Sequence, residues 1–287
     1  MAASIDDLAL AYRIMATPAP ASEDPISSQF PYPVPPDSDV KRTKTIGIVR
    51  DWIDRAEGPV RAALDRALDY YREQGYNIID ITIPYLPEGQ RAHALTIMAE
   101  IASGVDASKI RQLTAPNKVL VSMGMYQVTA QDLLASQRLR NLLMTHLAHL
   151  FKTHPGLLIV SPTTPIPGWH IDGGEAELSR GLSDAGSSVR NMEYVWLANF
   201  TGCPAISCPV DYTPGGVPIG VMAMSEWGTE EELIAFARDG EPILDLPSSS
   251  SPEESEIASA TKGLRTPSDD LSVWEDIIAQ AKEKISN

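Results

Sequence analysis

Basic charge is scarce in this chain. Its 23 Lys and Arg stand against 38 Asp and Glu, a formal net charge of −15. The deficit does not come from an acidic tail, because residues 247–287 carry only −4 and leave −11 on residues 1–246. A polyanion such as nucleic acid needs clustered Lys and Arg, so nucleic acid is excluded as a partner. Cysteine is also rare. Cys203 and Cys208 are separated by about 16 Å if the strand between them is straight, beyond disulfide reach, and free thiols are expected. No run reaches the 18 or so apolar residues of a membrane span, and the N-terminus lacks the charged flank of a signal peptide. The expectation is a soluble, cytoplasmic protein without membrane contact.

What is present is core-forming sequence. With 43% hydrophobic residues over 287 positions, the chain can bury the interior of one large domain or two small ones. Ser4 is a candidate N-cap for a helix over 4–16, with Ile5, Leu8, Tyr12 and Met15 at helical spacing. Seven prolines from Pro18 to Pro36 predict an extended connector over 18–44. The run 45–49 reads as a strand. It is followed by a helix from Pro59, with Val60, Ala63, Leu64, Ala67, Leu68 and Tyr71 inward and Gly75 as its stop, and then by a strand over 77–83. This is a βαβ unit and predicts parallel pairing. Helices are expected at 88–103 and 130–153, the second opening on Thr129 with Asp132 at N3. A buried strand at 157–161 then runs into Pro-Thr-Thr-Pro. A helix over 187–201 ending at Gly202, strands at 205–210 and 217–224, and a helix capped by Thr229 and Glu232 complete the body. The Ser/Pro/Glu-rich stretch 247–270 cannot bury enough apolar surface to order itself, and 271–287 has the pattern of an amphipathic helix.

Several residues invite chemistry and are better explained by structure. Ser187 and Ser188 lack the strand-to-helix context of a nucleophile elbow and fit a helix cap. His146 and His149 lie one turn apart, with His154 nearby, but lack the further ligands a metal requires. Cys203 and Cys208 have no sequence-near histidine to act as base. The loop Ser161–Pro167 is least well explained that way. Prolines 162, 165 and 167 fix its backbone, while Thr163 and Thr164 offer hydroxyls where ligands gather in open α/β sheets, outside strand C-termini. A stiff edge turn is the alternative.

Asn199, Gly202, Pro204-Ala205, Ser207, Pro209, Gly216, Pro218 and Gly220-Val221 resemble the C-terminal signature of the amidase signature family. The order of the other pieces agrees. Leu158–Pro167 resembles the family's strand and Pro-Thr loop, and Gln137-Arg138 the helix before it. Ile46–Trp52, the Pro59 helix and Ile81–Pro84 resemble its βαβ segment. Residues 2–16 resemble the helix that follows its catalytic region. The resemblance spans about residues 1–240. It implies an α/β fold with a mixed, mainly parallel central sheet flanked by helices, and hydrolysis of carboxamide C–N bonds by a serine nucleophile without metal or organic cofactor.

The resemblance also implies what this chain lacks. The family's lysine, cis-bonded serine, nucleophilic serine and Gly/Ser-rich oxyanion loop match no residue here, so no catalytic residue is assigned. Residues 1–246 are expected to be the C-terminal portion of the family domain, without its catalytic half and inactive alone. Thr163, Thr164, Asn199, Thr201 and Gly202 are expected to face the pocket and a small-molecule amide, if the missing half is supplied. Self-association or a partner subunit is expected through exposed sheet surface. Met222 stands where the family commonly has glutamine, and Ser225 where it has glycine.

Overall fold

The computed structural model describes residues 1–20, 23–26, 42–168 and 185–245. The linker expected at 247–270, the helix expected at 271–287 and most of the 18–44 connector lie outside the described residues. Helix α1 (Ile5–Met15) opens on Ser4, whose hydroxyl accepts from the Asp7 amide. The βαβ unit follows. Strand β1 (Thr45–Ile48), a short helix α2 (Arg50–Ile53), α3 (Gly58–Glu73) and β2 (Asn77–Asp80) run in that order, with Thr45 paired to Asn77 in parallel register. The buried face of α3 consists of the six residues that its spacing predicts. Next come α4 (Leu86–Gly104), a 3₁₀ turn (Ala107–Gln112), α5 (Ala115–Tyr126), α6 (Ala130–Thr153) and β3 (Leu157–Pro162). In α6, Thr129 and Asp132 form the reciprocal capping box. The described chain closes with α7 (Ala185–Arg190), α8 (Trp196–Thr201), β4 (Ala205–Tyr212), β5 (Pro218–Met224), α9 (Glu230–Gly240) and a 3₁₀ turn (Glu241–Asp245).

The sheet order is β2-β1-β3-β5-β4. β1 pairs in parallel with β2 and β3, and β5 runs antiparallel to both β3 and β4. Four strands therefore point one way and β5 the other, the mixed α/β sheet that was expected. α3 and α9 pack on this sheet, and α4, α6 and α8 pack against one another. One continuous core joins the groups, from Ile46 and Leu157 to Leu143, Leu147 and Phe151.

Three expectations need correction. The strand over 77–83 stops at Asp80, since Thr82 gives its carbonyl to the His146 ring and Pro84 cannot donate to a ladder. The helix over 187–201 is broken into α7 and α8, because the Tyr194 hydroxyl donates to the Trp52 carbonyl at 3.1 Å and pulls the intervening turn inward. Thr229 does not cap α9 with its side chain; its hydroxyl lies 2.7 Å from the Glu226 carbonyl, to which it donates, and 2.9 Å from Ser225 Oγ.

A polar cluster ties the entry of β1 to α9. Arg42 Nη2 lies 2.6 Å and Lys44 Nζ 3.1 Å from Asp239 Oδ2, and the Tyr76 hydroxyl donates to the same oxygen at 2.9 Å. Burial pushes the Asp239 carboxyl up, but hydrogen bonds from Lys44, Tyr76 and Arg42 outweigh it and hold the group below its ordinary value. The folded state thus binds this proton less readily than the unfolded chain. The stabilisation is full above the unfolded carboxylate pKa of about 3.9 and is lost as pH falls through the lower folded value. Asp239→Asn should lower the melting temperature at neutral pH and narrow its gap to wild type on acidification. Parallel melting curves across that range would remove the carboxylate from the stability of this corner.

Candidate functional site

The loop after β3 is pinned on both sides. The Thr163 amide donates to the Gly220 carbonyl at 2.9 Å, and the Pro165 carbonyl accepts from the Glu57 amide at 2.8 Å, just ahead of α3. Thr163 Oγ1 and Ser207 Oγ lie 2.7 Å apart. They meet across Gly220, where an added Cβ would sit 2.8 Å from Thr163 Oγ1 and 3.2 Å from Ser207 Oγ. The glycine is therefore what lets hydroxyls from β3 and β4 reach each other over the intervening β5. Ser207 is exposed and Thr163 half-buried. Of two hydroxyls sharing one hydrogen bond, only one proton is used; the other remains available to an outside acceptor such as a carbonyl oxygen. Among the described residues, no histidine, lysine or carboxylate is bonded to either hydroxyl, and the pair has a proton to donate to a ligand. Thr164 turns its own proton to the Ile166 carbonyl at 2.8 Å.

The remaining expected site residues sit elsewhere. Thr163 is level with Gly220, whereas Ala205, the start of β4, is level with Met224 and Ile159. That offset of four residues puts Ala205, the first strand residue after Gly202, roughly 13 Å along the strands from the level of Thr163. Asn199 is exposed although its neighbours Ala198 and Phe200 are buried. Gly202 adopts φ 76° as the left-handed stop of α8, a conformation that glycine enters at little cost. Thr201 is fully buried, with its hydroxyl on the Leu197 carbonyl at 2.7 Å, and its own carbonyl accepts from Trp227 Nε1 at 3.0 Å. It holds the helix end and reaches no open surface. The structure therefore brings Thr163 and Ser207 together and shows no bond from either to Asn199, Thr201 or Gly202 among the described residues. Of these, Ser207 was not expected as a site residue. The available signal was its alternation with Ala205 and Pro209 on one strand face.

The other candidates have structural roles. Ser187 and Ser188 lie inside α7 and not ahead of it. His146 Nε2 is bonded to the Thr82 carbonyl at 2.7 Å. Ser225, at a departure from the family pattern, is buried and bonds through its amide to the Pro204 carbonyl. Cys203 and Cys208 are free thiols. Burial pushes Cys203 up to about 11 and Cys208 up to about 12. At neutral pH both are thiols and poor nucleophiles. We expect neither to react with iodoacetamide in the folded protein at pH 7.5 and both to react in denaturant; rapid labelling of one in the native state, read by mass spectrometry, would contradict this.

An open mixed sheet with a hydroxyl pair at the carboxyl end of a central strand defines an α/β protein whose candidate site lies where ligands gather in such sheets. The chain belongs to the Amidase family, whose model matches residues 1–234. It is 28% identical over 248 residues to a fatty acid amide hydrolase of Medicago truncatula, covering 83% of this chain and 40% of that protein. It is 27% identical over 272 residues to a subunit of the glutamyl-tRNA(Gln) amidotransferase of Thermus thermophilus, covering 83% of this chain and 53% of that one. The chain thus spans about half, or less, of the curated relatives it matches. Among solved structures, Kluyveromyces lactis allophanate hydrolase superposes with a TM-score of 0.60 at 16% identity, over 87% of this chain and 40% of that one. A bacterial aryl acylamidase of the amidase signature family gives 0.57 at 17% identity, over 76% and 45%. These two likenesses speak for the fold alone. Among the described residues, no helix is long and apolar enough to cross a membrane.

Proposed function

We propose that this chain forms the substrate-facing wall of an amidase-family hydrolase and does not cleave amides by itself. The observation that carries the reading is the Thr163–Ser207 pair at the end of β3, which offers a hydrogen-bond donor to a carbonyl and has no base bonded to it among the described residues. Thr163, Ser207 and Thr164 would line the amide, with Asn199 and Gly202 on a separate stretch of the same wall and Thr201 behind it. Nucleophile, proton acceptor and oxyanion donors act as a unit; they would come from the portion of the family fold that the longer relatives carry. The two free thiols suit the reducing cytoplasm.

A second reading, a subunit that completes an amidase fold with a partner chain, draws on Leu10, Ile14 and Met15 of α1 and on Val119, Met123 and Tyr126 of α5, all exposed. Unpartnered apolar surface favours association. The purified chain should neither hydrolyse a panel of simple aliphatic and aromatic amides above background nor take up a fluorophosphonate. Fusion or co-expression with the N-terminal portion of the Medicago relative should confer both. Stoichiometric labelling of one serine in the chain alone would sink the proposal.

A further inference from the structure

Residues 107–131 carry Lys109, Arg111 and Lys118 and not one Asp or Glu, in a chain whose net charge is −15. Lys109 and Arg111 are exposed on the 3₁₀ turn that packs against α5, and Lys118 lies on α5 itself. No ion pair among the described residues includes any of the three. An acidic protein thus keeps a patch of cations without resident carboxylates, and such a patch draws a negatively charged partner.

The same helix turns apolar side chains outward. Val121 is its one buried residue, while Val119, Met123 and Tyr126 are exposed. These three follow one another at steps of four and three, the spacing of a single helical face. They border an open groove of about 370 Å³, lined by Lys118, Val119, Ser122, Met123, Tyr126 and Gln127. An apolar stripe beside a groove, flanked by cations, has the form that receives an amphipathic helix rich in acids.

The chain carries that pattern beyond its described residues. Leu271, Trp274, Ile278, Ala281 and Ile285 mark one face of 271–287, and Asp269, Asp270, Glu275 and Asp276 open the stretch with four acids and no base. Residues 246–270 lead to it from Asp245, the last described residue. That tether spans up to roughly 85 Å when extended. Taken as a sphere, a body of residues 1–245 is about 45 Å across and about 70 Å around half its girth, so every point of its surface is within reach. The competing surface is α1, with Leu10, Ile14 and Met15 exposed. There, however, Asp6, Asp7, Glu230, Glu231 and Glu232 outnumber Arg13 and Arg238 across α1 and α9, and an acidic segment is repelled.

We propose that residues 271–287 dock as a helix on α5 of their own chain, with Trp274 in the groove and the acids of 269–276 beside Lys109, Arg111 and Lys118. A tether of this kind holds the segment at an effective concentration of the order of millimolar, so a modest contact is enough. The inference does not depend on amide hydrolysis, and it leaves α1 as the open apolar helix for a partner chain.

A carbodiimide joins a lysine amine to a carboxylate it touches, without a spacer. Applied to the full chain at micromolar concentration, it should give peptides joining Lys109 or Lys118 to 269–276, read by mass spectrometry. In a mixture of ¹⁴N and ¹⁵N protein, each joined peptide should be of one isotope. Trp274→Ser/Ile278→Ser keeps every charge and lies outside the described fold; it should cut the yield by about tenfold or more, as expected for the loss of a tryptophan anchor. Met123→Ser, on the groove side, should lower the yield as well. Joined peptides of mixed isotope would give the groove to a second copy and overturn the proposal. Absence of the joined peptides also overturns it, and binding of the chain to phosphatidylserine vesicles that Met123→Ser weakens would then assign α5 to a lipid surface. A yield unchanged in the double variant would mean that charge alone draws the segment in, and the docked helix would be disproved.

Discussion

Trp196→Ala should remove about 3–5 kcal/mol of stability, the loss that follows truncation of a large buried aromatic. Trp196 is 1% exposed at the start of α8. Its ring lies 6.2 Å from that of Trp52 and 6.4 Å from that of Phe200. On the far side is Gly89 of α4, where any Cβ would run into the indole. Four segments distant in sequence thus close on one ring: α2, α4, α8 and, through Leu143, α6. The cavity left by alanine cannot be filled by a single neighbour, so little relaxation is available. Against a total stability of about 5–15 kcal/mol, such a loss is a large share. Urea denaturation followed by far-UV circular dichroism is the appropriate measurement, since five tryptophans mix the fluorescence signal. Trp196→Phe should lose less than half as much. A loss under about 1 kcal/mol for the alanine variant would mean that the α4–α6–α8 group relaxes around the gap.

The parts of the fold legible in the sequence are those whose local and tertiary demands coincide. The β1–α3–β2 unit combined a period-3.6 stripe with Pro59 at its start and Gly75 at its end. α6 carried its own capping box in Thr129 and Asp132. Other features were not legible because the deciding partner lies far away. The break between α7 and α8 depends on Tyr194 bonding to Trp52, 142 positions earlier. Helix α5 has a comparable cause: Val119, Leu120, Met123 and Tyr126 are exposed and only Val121 is buried, so its apolar residues do not form an inward stripe.

The candidate site divides in the same way. The Pro-Thr loop could be placed from its prolines and from the apolar strand that feeds it, and its position at the carboxyl end of β3 follows. That Thr163 would meet Ser207 could not be read, because their contact requires β5 to lie between β3 and β4 with its glycine at one register position. Thr201 illustrates the converse. A hydroxyl beside a helix-ending glycine resembles a pocket residue in sequence, yet the helix geometry turns it back to the Leu197 carbonyl.

Arg66→Met should be as damaging as the loss of Trp196, by a different route. Strand β4 bulges between Pro209 and Asp211, so Val210 has no pairing partner on β5. Arg66 of α3 reaches this irregularity, with Nη2 donating to the Val210 carbonyl at 2.6 Å and lying 3.0 Å from Asp211 Oδ2. Asp211 is 3% exposed, and its other oxygen accepts from the Tyr212 amide at 2.8 Å. Removing the guanidinium leaves a carboxylate sealed beside a carbonyl that has lost its donor, a change that costs about 3–5 kcal/mol when one member of a buried pair is deleted. If the charge is the cause, neutralising Asp211 should relieve the damage even though it removes a second native group. Arg66→Met/Asp211→Asn keeps the side-chain oxygen that receives the Tyr212 amide. It should therefore be more stable than Arg66→Met by at least ~1 kcal/mol in the same urea titration, a coupling expected for residues in direct contact. A double variant no more stable than the single one would place the loss in the packing of the arginine stem against the sheet, and the ion pair would then be incidental to how α3 is held over the bulge.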